Sequence, residues 1–334
     1  MLFYTVRRLL SLIPVLLGMT LIVFMMIHFI PGDPVGTILG NKATEETKEA
    51  MRHELGLYEP LHIQYLTYLK KLAQGDLGHS IRTNAPISEE IGPYLAATLE
   101  LTLVSVSIAI FAGIHLGILS AWKEKSWFDY MVMLLALLAV SLPLFWLALM
   151  EQWIFALKLK WLPSVGRLGA GESVKAFTHL YVIDTLLAGR LDQLWTVFKH
   201  LILPSVTLAV IPTAIIARQT RSSLLEVLSS DYIRTARAKG LSQMMVVYRH
   251  AMKNALIPIV TLVGLMVGSL LGSAVLTEVI FGWPGMGRYI YQAISYRDYP
   301  VIQSGVLTIA TIFMVINLVV DLLYACIDPR VKYQ

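Results

Sequence analysis

The chain has a single cysteine among its 334 residues, Cys326, so no disulfide can form within it. Charge is scarce too: Asp, Glu, Lys and Arg make up 15% of the residues and 56% are apolar, where soluble domains carry roughly 25% charge. With a mean hydropathy of +0.66, so much apolar surface has to meet hydrocarbon, which excludes a soluble domain. No G-x-x-x-x-G-K-S/T phosphate loop occurs, so the chain is not expected to bind or hydrolyse ATP. Repeats of about 20–50 residues are lacking, and no stretch is compositionally simple enough to be disordered. "HELGL" from His53 begins like a zinc-protease helix, but Leu57 stands where the second histidine should be. No metal site is therefore expected there.

What remains is a series of uncharged windows: Leu9 to Gly32, Leu101 to Trp122, Tyr130 to Met150, Leu201 to Ala217, Asn254 to Thr277 and Tyr299 to Val320. Each is close to the roughly 20 residues that cross a bilayer core as a helix. Their Leu, Ile, Val and Met run continuously instead of alternating with polar residues, which argues against a transmembrane barrel. The expectation is an all-α, polytopic membrane protein with six transmembrane helices. The first window resembles a secretory signal in its basic flank, but its apolar run is too long and no A-x-A-like site follows it. It is read as an uncleaved span.

With the N-terminus inside, the cytosolic pieces carry 13 of the 27 Lys and Arg residues in about half the length of the outer pieces. Both termini are therefore expected in the cytosol. Outside, "TEETKEAMRHELGL" reads as a helix that Gly56 could end, and "GDLGHSIRTNAPI" as a loop. The second outer segment, roughly Ala156 to Lys199, is too small for an enzyme domain. Glu100, Glu151 and Glu278 flank spans and are expected to reach water at headgroup level, while Asp321 is expected to pair with a basic residue or a neighbouring helix. His28 and His115 are expected to be neutral and bonded to neighbouring helices. Pro143, Pro204 and Pro212 remove backbone donors and are expected to kink their helices. Gly264, Gly268 and Gly272 repeat at i+4 and suit close packing against another span or a partner chain. The turn holding Trp283, Pro284, Gly285 and Gly287 is expected near an external mouth.

One segment departs from this pattern. "SSDYIRTARAKGLSQMMVVYRHAMKNALIP" is long, basic and patterned as two short helices about a glycine. Ser230 is placed to cap the first helix and Asp231 suits its positive end. Arg237 and Lys239 suit its negative end, Gly240 the left-handed position beyond it, and Ser242 the cap of the next helix. Tyr232, Ile233 and Ala236 share one face, with Arg234 elsewhere. Such a knuckle can lie on anionic headgroups or dock a partner protein, and the local pattern leaves both open.

"DYIRTARAKGLS" followed by "RHAMKNALIP" resembles the cytosolic coupling loop of ABC importer permeases, in the form found in the dipeptide/oligopeptide/nickel family. "RRLLSLIPVLLGMTLIVFMMIHFIPGDP", "GDLGHSIRT", "LTEVIFGWPGMGRYIYQAISYRDYPVIQ" and "NLVVDLLYACIDPR" resemble its B-type subunit in the same order along nearly the whole chain. Arg234-Thr235-Ala236 stands where many importer permeases have Glu-Ala-Ala, as is usual in the peptide branch.

The resemblance implies a type I ABC importer permease fold. Residues 1–93 would hold the first span and external segment, residues 94–325 the transmembrane domain with its coupling loop at about 218–255, and residues 326–334 a cytosolic tail. It implies that Asp231, Tyr232, Arg234, Thr235, Ala236, Arg237, Ala238, Lys239, Gly240 and Leu241 engage an ATPase subunit. The implied partners are a second permease chain, two ATPases that carry ATP and Mg, an external solute-binding protein and the bilayer of a bacterial or archaeal inner membrane; no nucleic acid is expected. The chain itself would be a non-hydrolytic subunit with no cofactor of its own. Relatives carry dipeptides, longer peptides, nickel complexes, haem or glutathione. Two rival classes are a proton-coupled secondary transporter using the membrane histidines and carboxylates, and a lipid-anchored scaffold.

Overall fold

The computed structural model describes residues 2–29, 44–54, 58–169 and 171–327. Every regular element among them is helical, and the one bridge, His79 to Pro86, closes a turn within the stretch expected to be a loop. The helices are α1 (Leu2–Phe29), α2 (Glu45–Glu54), α3 (Leu61–Ala73), α4 (Ile87–Trp122), α5 (Trp127–Ser141), α6 (Leu144–Lys158), α7 (Tyr181–Leu187), α8 (Leu191–Leu228), α9 (Asp231–Ala238), α10 (Gln243–Ile280), α11 (Met286–Tyr296) and α12 (Tyr299–Ile327). α6 ends in a π turn from Gln152 to Lys158, and α10 contains one from Val246 to Ala251.

Four helical runs are long and apolar enough to cross a membrane: Ile87–Trp122, Leu191–Leu228, Gln243–Ile280 and Tyr299–Val320. The third expected span is instead the pair α5 and α6, bent by 108°. Pro143 causes the break, because it has no N–H to donate and pushes Leu142 out of helical geometry, to φ −82° and ψ 136°. α8 differs, running as one 38-residue helix through both Pro204 and Pro212. The first expected span is α1, whose described apolar part is Leu10–Met26. Among the described residues, six crossings are reached only when α1 and the bent pair each count as one.

The chain clusters into two compact units that do not follow its order. Met1–Leu95 and Gly285–Val315 form one, and Ala96–Pro284 with Ile316–Gln334 the other. In the first unit, Ile87, Ile91, Met286, Tyr289, Tyr299 and Ile302 build the core where the start of α4 meets α11 and α12. In α1, Thr20 bonds the Tyr65 hydroxyl of α3 at 2.9 Å and Phe24 packs on the Tyr65 and Tyr68 rings. α2 forms where the Glu- and Lys-rich stretch was expected; Gly56 lies outside the described residues.

In the second unit α4 lies against α8 through two glycines. A Cβ on Gly113 would sit 2.8 Å from Ile216 Cβ, and one on Gly117 would sit 2.5 Å from Thr220 Cβ. Only glycine allows this backbone approach, and the i+4 spacing puts both on one helix face. Gly264 serves the same purpose against Val320 of α12, Gly268 is buried, and Gly272 meets nothing within 4 Å in this chain.

Candidate coupling site

The knuckle is a short helix slung between two long ones. α9 follows α8 after Ser229 and Ser230, and Gly240 at φ +74° turns the chain into α10. Its left-handed conformation is the one that disfavours side chains, as the sequence implied. Ile233 and Ala236 of α9 are buried in a cluster with Ile118 and Ala121 at the end of α4, Leu224 of α8, and Val246, Val247 and Ala251 of α10. Three long helices thus grip one face of α9, while Asp231, Tyr232, Arg234, Thr235, Arg237, Ala238, Lys239 and Gly240 are exposed, with Leu241 half-buried beside them. Packed apolar contacts of this kind resist deformation.

Three details correct the sequence reading. Ser230 occupies the cap position, but its hydroxyl donates to the Val227 carbonyl at 2.6 Å and caps nothing. Tyr232, four residues before Ala236 and so near it on the helix surface, lies only at the edge of the buried face: it is exposed, and its hydroxyl accepts from Asn254 Nδ2 of α10 at 2.9 Å. The second helix is not short: it is the first turn of α10, capped by Ser242, whose hydroxyl accepts from Met245 N at 3.4 Å. One element therefore joins the knuckle to a membrane-crossing run.

Near the same end of the second unit, Asp129 of α5 is buried beneath Arg221 of α8. Arg221 Nε and Nη2 donate to its two oxygens at 2.6 and 2.7 Å, and Ser120 and the Lys125 amide also donate to it. This ion pair ties α5 to α8 just before the knuckle, across 92 residues of sequence.

The carboxylates expected at headgroup level are placed differently. Glu100 is buried, and Arg167 from the segment after α6 donates to it at 3.0 and 2.5 Å while the Val182 amide donates at 2.7 Å. Arg167 also lies 3.7 Å over the Tyr181 ring and bonds the His179 carbonyl. Glu278 is fully buried and accepts from Thr98 Oγ1 at 2.5 Å. Neither reaches water, because each meets its donors within the fold. Glu151 is half-buried, with Thr207 donating to it.

His115 is exposed and bonds the Phe111 carbonyl of its own helix at 2.7 Å instead of a neighbouring helix. The side chains of His28 and Asp321 lie outside the described residues, as do those of the 326–334 tail. Trp283 is fully buried, with its Nε1 donating to the Ala97 carbonyl at 2.9 Å. Gly285 and Gly287 are buried and Pro284 is half-buried, so the expected surface turn is mostly packed inside the chain. Sequence reasoning missed Arg167, Asp129 and Arg221 because their partners are remote; the Gly113–Gly117 spacing was visible and passed over.

The chain thus combines long apolar helices with a short basic helix packed on three of them. Residues 113–333 match the family described as binding-protein-dependent transport system inner membrane component, and residues 1–102 match its N-terminal companion family. The chain belongs to this family and is a non-hydrolytic, multi-pass inner-membrane permease subunit of an ABC importer, with the ATPase on a partner chain.

It is 60% identical over 333 residues to the dipeptide transport system permease protein DppB of Alkalihalophilus pseudofirmus, covering 100% of both chains. It is 46% identical over 335 residues to the di/tripeptide permease DppB of Pseudomonas aeruginosa, again over 100% of both. It is 41% identical over 334 residues to the glutathione permease GsiC of Salmonella paratyphi A, also covering 100% of both. Among solved structures, the methionine ABC transporter MetNI shares the fold, with a TM-score of 0.53 at 18% identity, covering 71% of this chain and 94% of that one. Nothing in these matches favours the proton-coupled class.

Proposed function

We propose that this chain imports di- or oligopeptides as one half of a translocation pathway completed by a second, different permease chain. Two ATPases with ATP and Mg drive the cycle from the cytosol, and an external binding protein delivers the solute. Both termini and the knuckle lie on the cytosolic side of a bacterial or archaeal inner membrane. The transmembrane machinery occupies residues 94–325. The observation that carries the substrate class is the 60% identity over the whole length to a dipeptide permease.

The coupling part rests on the knuckle. Residues 231–241 dock in an ATPase groove, and closure of the ATPases pushes α9 as a rigid body. Because α9 is buried against α4, α8 and α10, the push tilts those helices. Gly264 and Gly268 suit close packing of α10 within the chain, Gly272 suits approach of the partner permease, and the Trp283 to Gly287 turn stands near the external mouth.

The test is substitution at Gly240. No neighbour lies within 4 Å of the added Cβ, so Gly240→Val acts through backbone strain of about 1–2 kcal/mol. ATP-dependent uptake of labelled di-alanine by the assembled transporter should fall roughly tenfold while membrane insertion persists. Unchanged coupling overturns the assignment of the knuckle. A copurified binding protein carrying a nickel complex or haem in place of peptide overturns the substrate class. Labelling of Arg237 from the external side overturns the orientation.

A further inference from the structure

The first unit contains a small polar cavity whose groups the coupling mechanism does not use. Ser80, Arg82, Glu90, Tyr94, Tyr289, Tyr296 and Asp298 line a space of about 110 Å³. At roughly 30 Å³ per water it holds about four waters, the scale of a ligand's charged end groups and not of its side chains.

Its walls are held in place from beneath. Asp298 is buried; one of its oxygens accepts from Ser80 Oγ at 2.6 Å and from the Arg82 amide at 3.2 Å, and the other from the Val301 amide at 3.4 Å. One oxygen thus fixes the loop that carries Arg82, and the other caps the first turn of α12. The Arg82 guanidinium rests 4.3 Å from the centre of the Tyr296 ring. It is exposed, and among the described residues no carboxylate lies within ion-pair distance of it. Its N–H donors are therefore available to a ligand.

The opposite charge comes from Glu90 at the start of α4. Tyr289 donates to Glu90 Oε2 at 2.6 Å, and its ring stacks on Tyr94 at 4.3 Å. Burial, and then the Glu90 carboxylate, push the Tyr289 hydroxyl well above its ordinary value. It stays protonated and donates to one side of Glu90, leaving the carboxylate with acceptor capacity to spare.

We propose that this cavity is a subsite for the zwitterionic backbone of a peptide, with Arg82 taking the terminal carboxylate and Glu90 the terminal ammonium. The juxtaposition of a guanidinium with free donors and a half-satisfied carboxylate in one preorganised hollow suits a ligand carrying both charges. An Arg–carboxylate contact is among the stronger hydrogen-bonded pairs, and the tyrosine rings favour a cation nearby. Recognition through the termini alone is indifferent to side-chain identity, which an importer of mixed peptides requires. The inference rests on the peptide reading above.

The test uses the assembled permease–ATPase complex in lipid nanodiscs, without the binding protein, and measures di-alanine binding by calorimetry. The comparison ligands are N-acetyl-di-alanine, di-alanine amide and the doubly capped peptide. Glu90→Gln keeps an acceptor for Tyr289 and should weaken di-alanine binding about tenfold while leaving the N-acetylated peptide unaffected. Arg82→Gln, at an exposed position, should weaken di-alanine similarly and leave the amide unaffected.

Equal binding of the doubly capped peptide, or wild-type affinity in both variants, overturns the subsite. So does a pattern in which the variants lose only stimulation by the binding protein, which would make this surface a protein-docking face. Uptake of labelled di-alanine by the wild-type complex in proteoliposomes, with its binding protein added, separates the two readings. Uptake with unaltered binding in the variants sinks the subsite alone, whereas absent peptide uptake sinks the substrate class and the subsite with it.

Discussion

Arg234 and Asp231 face each other on the knuckle at 3.3 Å with side chains 77% and 95% exposed, whereas Arg167 and Glu100 meet at 2.5 Å with exposures of 5% and 4%. The two pairs have the same ionic chemistry and opposite surroundings. In water the attraction is screened and offset by the entropy of holding two long side chains, so the knuckle pair contributes little to stability and leaves its charges free for a partner. In the interior each charge depends on the other, and removing one strands its mate. The pairs therefore belong to different tasks: one presents charge, and the other fastens the segment after α6 to α4.

The largest expected effect breaks the buried pair. Arg167→Ala leaves Glu100 with only the Val182 amide and should destabilise the protein by about 3–5 kcal/mol, read as a lowered unfolding temperature in detergent. A double variant, Arg167→Met with Glu100→Leu, should recover most of that loss, because two apolar side chains need no partner. A silent single variant would erase the contrast between the pairs.

Next comes the apolar underside of the knuckle. Ile233 is fully buried, and Ile233→Ala should cost about 3 kcal/mol and loosen α9 from α8 and α10. ATP hydrolysis by the assembled complex should then proceed with little uptake, measured as a raised ratio of ATP consumed to peptide moved. A tight ratio would mean that the packing of α9 does not transmit the push.

The smallest effect on stability is expected at the exposed pair. Arg234→Ala should shift unfolding by less than about 0.5 kcal/mol, yet weaken ATPase copurification, increasingly so at higher salt. A large loss of stability without any change in copurification would reverse the comparison.

The legible features were those whose causes are local. A continuous Leu, Ile, Val and Met run specifies a membrane helix because its backbone bonds close within the run. Gly240 was readable because a left-handed residue must follow a helix that stops there, and Ser242 because its capping bond reaches only three residues on. Pro143 broke its span for the same local reason. Pro204 and Pro212 carry the same defect, yet α8 continues through them with both residues buried in the bundle. Packing with neighbours offsets what the local rule forbids.

Membrane class, the order of apolar runs and the outline of the knuckle are written in residues three or four apart, where the periodicity of a helix makes neighbours of them. The fate of Glu100 and Glu278 is not, since their donors arrive from 67 and 180 residues away. A glutamate beside a span has the same local pattern whether it ends in water or under an arginine. Only the folded chain, by bringing Arg167 and Thr98 within bonding distance, made burial less costly than solvation.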